Sequence, residues 1–173
     1  FAARQLQSSG NKSVAERVAR LWGQVRQTPA ARMREIQRLQ SLLTAPVLAK
    51  GDRSAGRRLY QQTCASCHRL FGEGGQIGPD LTGSQRQNVE YLLQNMIDPS
   101  STVVREYQMQ IIETTDGRTL AGLIIDQTEK AITLQAVNEK LVLPRDEIES
   151  QTVSPQSMMP DELITRWSIE QVR

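Results

Sequence analysis

The sequence predicts an α+β protein that is mostly helical, with an N-terminal helical hairpin and a small antiparallel β-sheet inserted later in the chain. Two observations support this class. Apolar residues recur at helical spacing before residue 101, and the period changes to alternation in residues 103–150. We therefore expect two domains: residues 1–50 form the hairpin, and residues 51–173 form a larger domain that contains the sheet insert, residues 103–150.

The hairpin prediction rests on two apolar stripes, separated by the helix-start signal Thr28-Pro29. Both stripes favour a packing face over a cofactor site. Their members are Val14, Val18, Leu21, Trp22 and Val25, and then Ile36, Leu39, Leu42 and Leu43.

Two further helices are predicted on either side of a loop rich in Gly and Pro, residues 72–83. One begins at Ala55 and leads into a segment that contains two cysteines. The other runs from Asn88, a residue suited to a helix N-cap, and stops at Asp98-Pro99.

The alternating region predicts four short strands. Asp116-Gly117 is a two-residue hairpin signal between the first and the second strand. Turn residues also separate the later ones. The strands are expected near residues 107–111, 120–125, 132–136 and 141–143.

The composition is that of a globular protein with 38% hydrophobic residues and few aromatic ones, so a large prosthetic group could fill part of its core. No stretch approaches the roughly 18 to 20 consecutive apolar residues of a membrane span. Residue 1 is Phe. We therefore expect a mature or partial chain from which any signal sequence or anchor has been removed.

The formal net charge of +2 hides an asymmetry along the chain. Residues 1–50 carry nine basic and two acidic side chains, whereas residues 105–173 carry seven basic and twelve acidic ones. The basic charges are interleaved with Gln and Ala, and no series of aromatic residues accompanies them. We expect no nucleic-acid partner and interpret the basic end as a solvated or docking face.

The strongest chemical signal is Cys64-Ala65-Ser66-Cys67-His68, which contains both cysteines and the only histidine of the chain. Two thiols three positions apart can each add to one vinyl group of a heme, and the next residue then places its imidazole at the iron. The pattern predicts one covalently bound heme c, held by Cys64 and Cys67, with His68 as an axial iron ligand.

Three other interpretations of the same residues are weaker. A thioredoxin-like dithiol would lie in a βαβ pattern, and none surrounds these residues. A zinc site would need a fourth ligand of Cys or His type, which the chain does not contain. A disulfide across two residues would explain neither the adjacent histidine nor the Gly-rich loop.

The opposite side of the iron cannot use a second histidine, so the candidates are Met, Lys, water or an open position. Met33 and Met96 fall on predicted helix faces and Met109 on a strand face, where core packing is the expected role. Met158 and Met159 lie in an irregular loop, from which a thioether can approach the iron without distorting a helix.

Residues 77–81 suggest a use on the histidine side of the heme. The nitrogen of an axial imidazole that does not bind iron needs an acceptor to fix its tautomer, and a backbone carbonyl in a rigid loop with Pro79 at its centre can provide one. The alternative is an ordinary surface turn.

Together these segments resemble the heme-binding cytochrome c domain of the Pirellula/Verrucomicrobium type. The resemblance covers about residues 52–173. Its motifs are Gly56-x-x-Leu59-Tyr60, Cys64-x-x-Cys67-His68, Phe71-Gly72-Glu73-Gly74-Gly75, Ile77-Gly78-Pro79-Asp80-Leu81-Thr82-Gly83, Tyr91-Leu92-Leu93, Ile97-Asp98-Pro99-Ser100, Asp116-Gly117-Arg118, Leu143-Pro144-Arg145, Ile148-Glu149 and Ser157-Met158-Met159-Pro160.

The resemblance implies a cytochrome c fold in which a β-sheet insert separates the heme-binding helices from a distal methionine loop. Carried over by position, Cys64 and Cys67 are the thioether anchors, His68 is the proximal ligand and Met159 is the distal ligand. The resemblance also implies a place at the C-terminal end of large extracytoplasmic proteins, often behind a sugar or alcohol dehydrogenase.

The family's final helix continues beyond the position of Val172 and packs across the helix that carries Gly56 and Tyr60. In this chain Ser168 and Gln171 form a capping-box pattern, and we expect too little room after it for a helix.

We expect an electron-transfer module rather than an enzyme, with a dehydrogenase domain, another cytochrome or both as redox partners, in the periplasm or otherwise outside the cytoplasm. The main alternative is an open sixth position that serves as a gas sensor or a peroxide-reactive enzyme, although a peroxidase would want distal acid–base residues. In a third interpretation the sheet and the basic helices form a docking or structural element, and the heme serves mainly folding stability.

Overall fold

The computed structural model describes residue 6 and residues 10–173, except for the side chains of Trp22 and Gln24. The rest of the first nine residues, part of the predicted hairpin domain, lies outside the described residues. The described helices are α1 (Lys12–Trp22), α2 (Ala30–Leu42), α3 (Ala45–Leu48), α4 (Arg53–Thr63), α5 (Val89–Ile97) and α6 (Ile169–Val172).

Strands form a large part of the described chain beside the helices. The α+β class is therefore confirmed, whereas the expectation of a mostly helical chain holds only in part. The strands are β1 (Gln24–Val25), β2 (Arg69–Leu70), β3 (Glu73–Gly74), β4 (Thr102–Val103), β5 (Gln110–Thr114), β6 (Thr119–Gln127), β7 (Ala131–Gln135), β8 (Lys140–Pro144) and β9 (Ile148–Val153).

Contacts divide the chain into two compact units. In the described residues, the sheet unit comprises residues 10–26 and 102–158, and the helical unit comprises Gln27–Ser101 and Met159–Arg173. The sheet unit therefore interrupts the helical unit in sequence. The predicted domain boundary at residue 50 separates two continuous segments, whereas each compact unit combines segments that are distant in sequence. The boundary therefore stays a prediction.

The two helices predicted to form one hairpin belong to different units. After α1, β1 pairs with β4 in the antiparallel register Gln24↔Val103, which groups α1 with the sheet. In contrast, α2 buries Ile36 and Leu39 in the core of the helical unit. Long-range pairing and burial, rather than the short connection between the helices, decide this grouping.

The sheet unit contains a five-stranded antiparallel sheet in the order β8-β7-β6-β5-β9. The predicted hairpin at Asp116-Gly117 joins β5 to β6, but its loop has three residues rather than two: the Thr114 N–H donates to the Arg118 carbonyl, and Gly117 has a positive φ of 85°. The buried core of the sheet comprises Ile112, Ile132, Leu134 and Leu143.

The prediction of four strands within residues 103–150 is incomplete. The sheet has a fifth strand, β9, which extends to Val153 and pairs along β5. Residues Gln151–Val153 are exposed at the edge of the sheet, so their sequence carries little alternation. The first strand begins at Gln110 rather than near Tyr107, which lies in a 3₁₀ turn.

In the helical unit, α2 packs against α5 around a buried apolar cluster. The prediction of α5 is confirmed at its start, where the Asn88 side chain accepts a hydrogen bond from the Tyr91 N–H at 3.0 Å. The cluster comprises Ile36, Leu39, Leu43, Leu93, Ile97 and Ile164.

Helix α4 carries the chain into the cysteine segment and contacts the short helix α6. Its first turn is capped by Asp52, whose carboxylate accepts from the N–H groups of Ser54 and Ala55. The expectation that no helix follows Ser168 is wrong. The side chain of Ser168 accepts from the backbone N–H of Gln171, and the side chain of Gln171 accepts from the backbone N–H of Ser168. This capping box stabilises the single turn of α6.

Across the part of the chain that is described, no helix has both the length and the apolar character needed to cross a bilayer.

Candidate heme site

The two cysteines lie on a tight turn that continues the last turn of α4. The Cys64 N–H donates to the Tyr60 carbonyl at 2.8 Å, and the His68 N–H donates to the Cys64 carbonyl at 2.9 Å. Cys64 and Cys67 are half-buried free thiols, so both sulfur atoms are available for addition to a vinyl group. Burial, and then the proximity of Cys67, raises the pKa of the Cys64 thiol.

The imidazole of His68 is oriented by a backbone carbonyl. Its Nδ1 lies 2.9 Å from the carbonyl oxygen of Pro79. Because a carbonyl oxygen can only accept, Nδ1 carries the proton in this contact and Nε2 keeps its lone pair. The structure thus brings together two of the residues that the sequence singled out, in an arrangement suited to a metal ligand.

The loop that contains Pro79 is held on the cysteine segment by backbone hydrogen bonds. The N–H groups of Gly75 and Gly78 donate to the carbonyls of Ala65 and Cys67, each at 2.8 Å. A side chain has no space at either glycine: a Cβ on Gly75 would lie 2.1 Å from the Ser66 carbonyl oxygen. Close approach, to the backbone of Ser66 at Gly75 and to the imidazole of His68 at Gly78, therefore explains these two glycines.

The Tyr60 hydroxyl donates to the His68 carbonyl oxygen at 2.7 Å and ties α4 to the histidine. Burial is the main cause that raises the pKa of Tyr60, so its hydroxyl stays protonated and able to donate at neutral pH. The sequence suggested only helix packing for this residue, because a hydrogen bond to a carbonyl eight positions away has no local signature.

An exposed aromatic ring lies beside the histidine segment. Phe71 is 67% exposed and has a φ of 52°, which is unusual for a residue other than glycine. Its N–H donates to the Thr82 hydroxyl at 2.8 Å, and the Arg86 guanidinium lies 4.8 Å from the centroid of its ring.

The two loop methionines fall in different compact units. Met159 is half-buried and belongs to the helical unit, together with Cys64, Cys67 and His68. Met158 is the last residue of the sheet unit.

The other methionines have mixed roles. Met96 packs against the core of the helical unit, as expected. A core role for Met33 is wrong, since its side chain is 37% exposed and α2 turns Ile36 and Leu39 inward instead. Met109 is half-buried and precedes β5, rather than lying within a strand.

A polar cluster that the sequence did not reveal follows Met159. Arg32 contacts Asp98 and Asp161 at 2.8 and 2.7 Å, and the Ser100 hydroxyl donates to Asp161 at 3.2 Å. Burial lowers the pKa of the Arg32 guanidinium, but the hydrogen bonds and charges of the two carboxylates outweigh this and leave it raised. The sequence indicates Asp98 only as a helix stop, and no local pattern links it to Arg32.

Comparison with known proteins agrees with this site. The family described as cytochrome c matches residues 54–172 of the chain. A cytochrome c-553-like protein from Synechocystis sp. is 31% identical over 68 residues, which are 39% of this chain and 64% of that protein. The chain thus spans less than two thirds of that relative's length.

One solved structure, that of the pleiotropic translational regulator Hfq, aligns with 40% of this chain and 96% of its own, at 14% sequence identity and a TM-score of 0.27. That likeness is too low to carry an argument.

Two available thiols spaced three positions apart, followed by an imidazole whose Nδ1 faces a carbonyl, are the features of a c-type cytochrome. With the family match over most of its length, the chain belongs to the cytochrome c family. Members of this family bind covalently attached heme c with iron, and the described residues fit that group. Both thiols are unpaired, the tautomer of His68 leaves Nε2 available, and Gly78 leaves space for the imidazole ring of His68.

Proposed function

We propose that the protein is a monoheme electron carrier in which Cys64 and Cys67 hold the heme, His68 is the proximal iron ligand and Met159 the distal one. The contact between His68 Nδ1 and the Pro79 carbonyl, at 2.9 Å, is the observation that best supports the proposal. An imidazole used only for packing or for surface polarity does not need its tautomer selected by a rigid loop.

The chain's own residues prepare the proximal side. The Pro79 carbonyl fixes the orientation of the imidazole, because it accepts a hydrogen bond from the Nδ1–H group and leaves Nε2 for the iron. The Tyr60 hydroxyl holds the backbone of the same histidine. When bound, the heme supplies an iron atom that gains or loses one electron. A ligand set that moves little between the two oxidation states suits this function.

Two facts support Met159 over Met158. Met159 shares a compact unit with the histidine and both cysteines, and the segment after it is bound to α5 by backbone hydrogen bonds. Those bonds run from the Glu162 N–H to the Ile97 carbonyl and from the Leu163 N–H to the Met96 carbonyl, at 3.1 and 3.3 Å. A thioether ligand, frequent in electron-carrying c-type cytochromes, raises the reduction potential of a heme.

The finer identity follows the resemblance of the sequence to the Pirellula/Verrucomicrobium-type domain. On this proposal the chain accepts electrons from a dehydrogenase domain, from another cytochrome or from both, and passes them to an acceptor outside the cytoplasm. The extracytoplasmic location is supported by the covalent attachment motif, since heme c is attached in that compartment.

The test is the visible absorption spectrum of the purified heme protein, oxidised and reduced, with carbon monoxide added to the reduced form. A low-spin spectrum with the weak red band of a methionine–iron bond, unchanged by carbon monoxide, is the expected result. A high-spin spectrum that shifts with carbon monoxide would show an open sixth position, contradict the Met159 assignment and favour a sensor or a peroxide-reactive enzyme.

A further inference from the structure

One guanidinium connects three segments of the helical unit next to the proposed distal methionine. Arg32, on α2, places Nη1 2.8 Å from Asp98 Oδ1 and Nη2 2.7 Å from Asp161 Oδ2. Asp98 directly follows α5, and Asp161 is two residues after Met159. A single side chain therefore joins α2, the end of α5 and the beginning of the segment that leaves the methionine.

This ion pair is shielded from water on one side. The side chain of Asp98 is 0% exposed and that of Arg32 is 18% exposed, whereas Asp161 is 30% exposed. The Ser100 hydroxyl donates to the other oxygen of Asp161 at 3.2 Å. Charge-assisted contacts in partly buried surroundings are short and directional, unlike those of a fully exposed pair.

The backbone after Met159 also has an uncommon conformation. Glu162 has a φ of 56°, a value that residues with a Cβ rarely adopt without support from their surroundings. Its N–H donates to the Ile97 carbonyl at 3.1 Å, and its carboxylate lies 3.5 Å from Nε of Arg32. Arg32 thus contacts both side chains that follow Pro160 and holds this turn against the end of α5.

We infer that Arg32, with Asp98 as its buried counter-ion, is a positioning residue that keeps the Met159 thioether at the iron. This inference rests on the proposed His68 and Met159 ligation. A methionine on a loop leaves the iron whenever the loop moves outward, and the fraction of time spent in that state determines how easily another ligand replaces it. The contacts of Arg32 with Asp98 and Asp161 oppose this movement.

The experiment measures competition at the distal position in the complete heme-loaded protein. Imidazole is titrated into the oxidised protein at neutral pH while the weak red band of the methionine–iron bond is followed. For Arg32→Gln we expect the apparent affinity for imidazole to rise about tenfold or more, because the methionine-off state is more populated. Arg32→Lys keeps the charge but cannot bridge both carboxylates as a planar fork does, so it is expected to give an intermediate rise.

Arg38→Gln is the matched control. Arg38 also lies on α2 and also forms an ion pair, with Glu35 at 2.7 Å. Its side chain is 54% exposed, and this ion pair lies within α2 rather than joining it to the segment after Met159. Its loss is expected to leave imidazole affinity within about twofold of the wild type.

Asp161→Asn tests the same idea without leaving Asp98 as an uncompensated buried charge, a change that could unfold the Arg32→Gln variant. It removes the charge of the carboxylate that is closest to Met159 in sequence and keeps the Arg32–Asp98 pair. Raised imidazole affinity in this variant, with an unchanged urea midpoint for unfolding, supports a positioning role over a purely structural one.

Two negative results are distinguishable. If the wild type shows the red band but neither Asp161→Asn nor Arg32→Lys changes imidazole affinity by more than about twofold, the inference about Arg32 is overturned and the proposed function stands. If the wild type lacks the red band and binds imidazole as an open site, the Met159 ligation is wrong and the inference about Arg32 fails with it.

Discussion

Gly78 lies against the imidazole ring of His68 so closely that a Cβ on Gly78 would stand 2.4 Å from Cε1 and 2.6 Å from Nδ1. The Gly78 N–H donates to the Cys67 carbonyl at 2.8 Å, so the loop cannot withdraw without losing that bond. The orientation of the imidazole therefore depends on the absence of a side chain at this position.

Gly78→Ala is expected to displace the imidazole from the Pro79 carbonyl, because the added methyl group and the ring cannot occupy the same space. We expect a weaker histidine–iron bond, seen as a high-spin component in the absorption spectrum and a lower yield of heme-loaded protein. Gly83→Ala is the control, since nothing lies within 4 Å of a Cβ at that position. A normal low-spin spectrum for Gly78→Ala would contradict this account of the site.

Tyr60→Phe removes the hydroxyl that donates to the His68 carbonyl at 2.7 Å. We expect the free energy of unfolding, measured with urea, to fall by about 0.5–1.5 kcal/mol, the usual contribution of one hydrogen bond. Tyr91→Phe is the control, because among the described residues its hydroxyl has no hydrogen bond. Equal effects of the two substitutions would show that the contact with His68 contributes nothing measurable.

Ile97→Ala tests the core of the helical unit. Ile97 is 0% exposed and packs in the cluster that contains Leu39 and Ile164. We expect a loss of about 2–5 kcal/mol in the free energy of unfolding, from lost burial and from the cavity left behind. Leu42→Ala, at a side chain that is 43% exposed, should cost clearly less. A loss below about 1 kcal/mol for Ile97→Ala would mean that the core collapses around the missing atoms.

Asp116→Asn gives a pH-dependent prediction in the sheet unit. The hydrogen bond from Thr114, and then those from Arg118, lower the pKa of the Asp116 carboxyl in the folded state. A lowered pKa contributes stability above the unfolded pKa, which is about 3.9, and this contribution is lost as the pH falls through the folded value.

The wild type is therefore expected to exceed Asp116→Asn in stability at pH 7, with the difference shrinking below about pH 4. Urea unfolding at pH 7 and pH 3, followed by circular dichroism, measures it. Asp126→Asn, at an exposed position of β6, is the control. A difference of the same size at both pH values would contradict the role of the carboxylate charge.

Features with a local cause could be predicted from the sequence. The N-cap of α5 and the Asp116-Gly117 hairpin depend on residues a few positions apart, so the sequence pattern alone predicts them. The same is true of the cysteine segment, where the spacing of Cys64, Cys67 and His68 is itself the chemical signal.

Features that depend on distant parts of the chain were missed or misplaced. Strand β9 was not predicted because it is specified by pairing with β5 rather than by its own alternation. The hairpin of α1 and α2 stays a prediction, but the contacts group the two helices differently: β1 pairs with β4, some eighty residues later, and this places α1 in the sheet unit.

By itself the sequence determined the α+β class, the cytochrome c family and the chemistry of the cofactor, because each depends on the spacing of residues within short stretches of the chain. Only the tertiary structure placed the Pro79 carbonyl on His68, and only it joined Arg32 to Asp161, which is 129 positions away. The physical reason is that an ion pair or an oriented imidazole depends on which segments the packed core brings together, and that information is distributed over the whole chain.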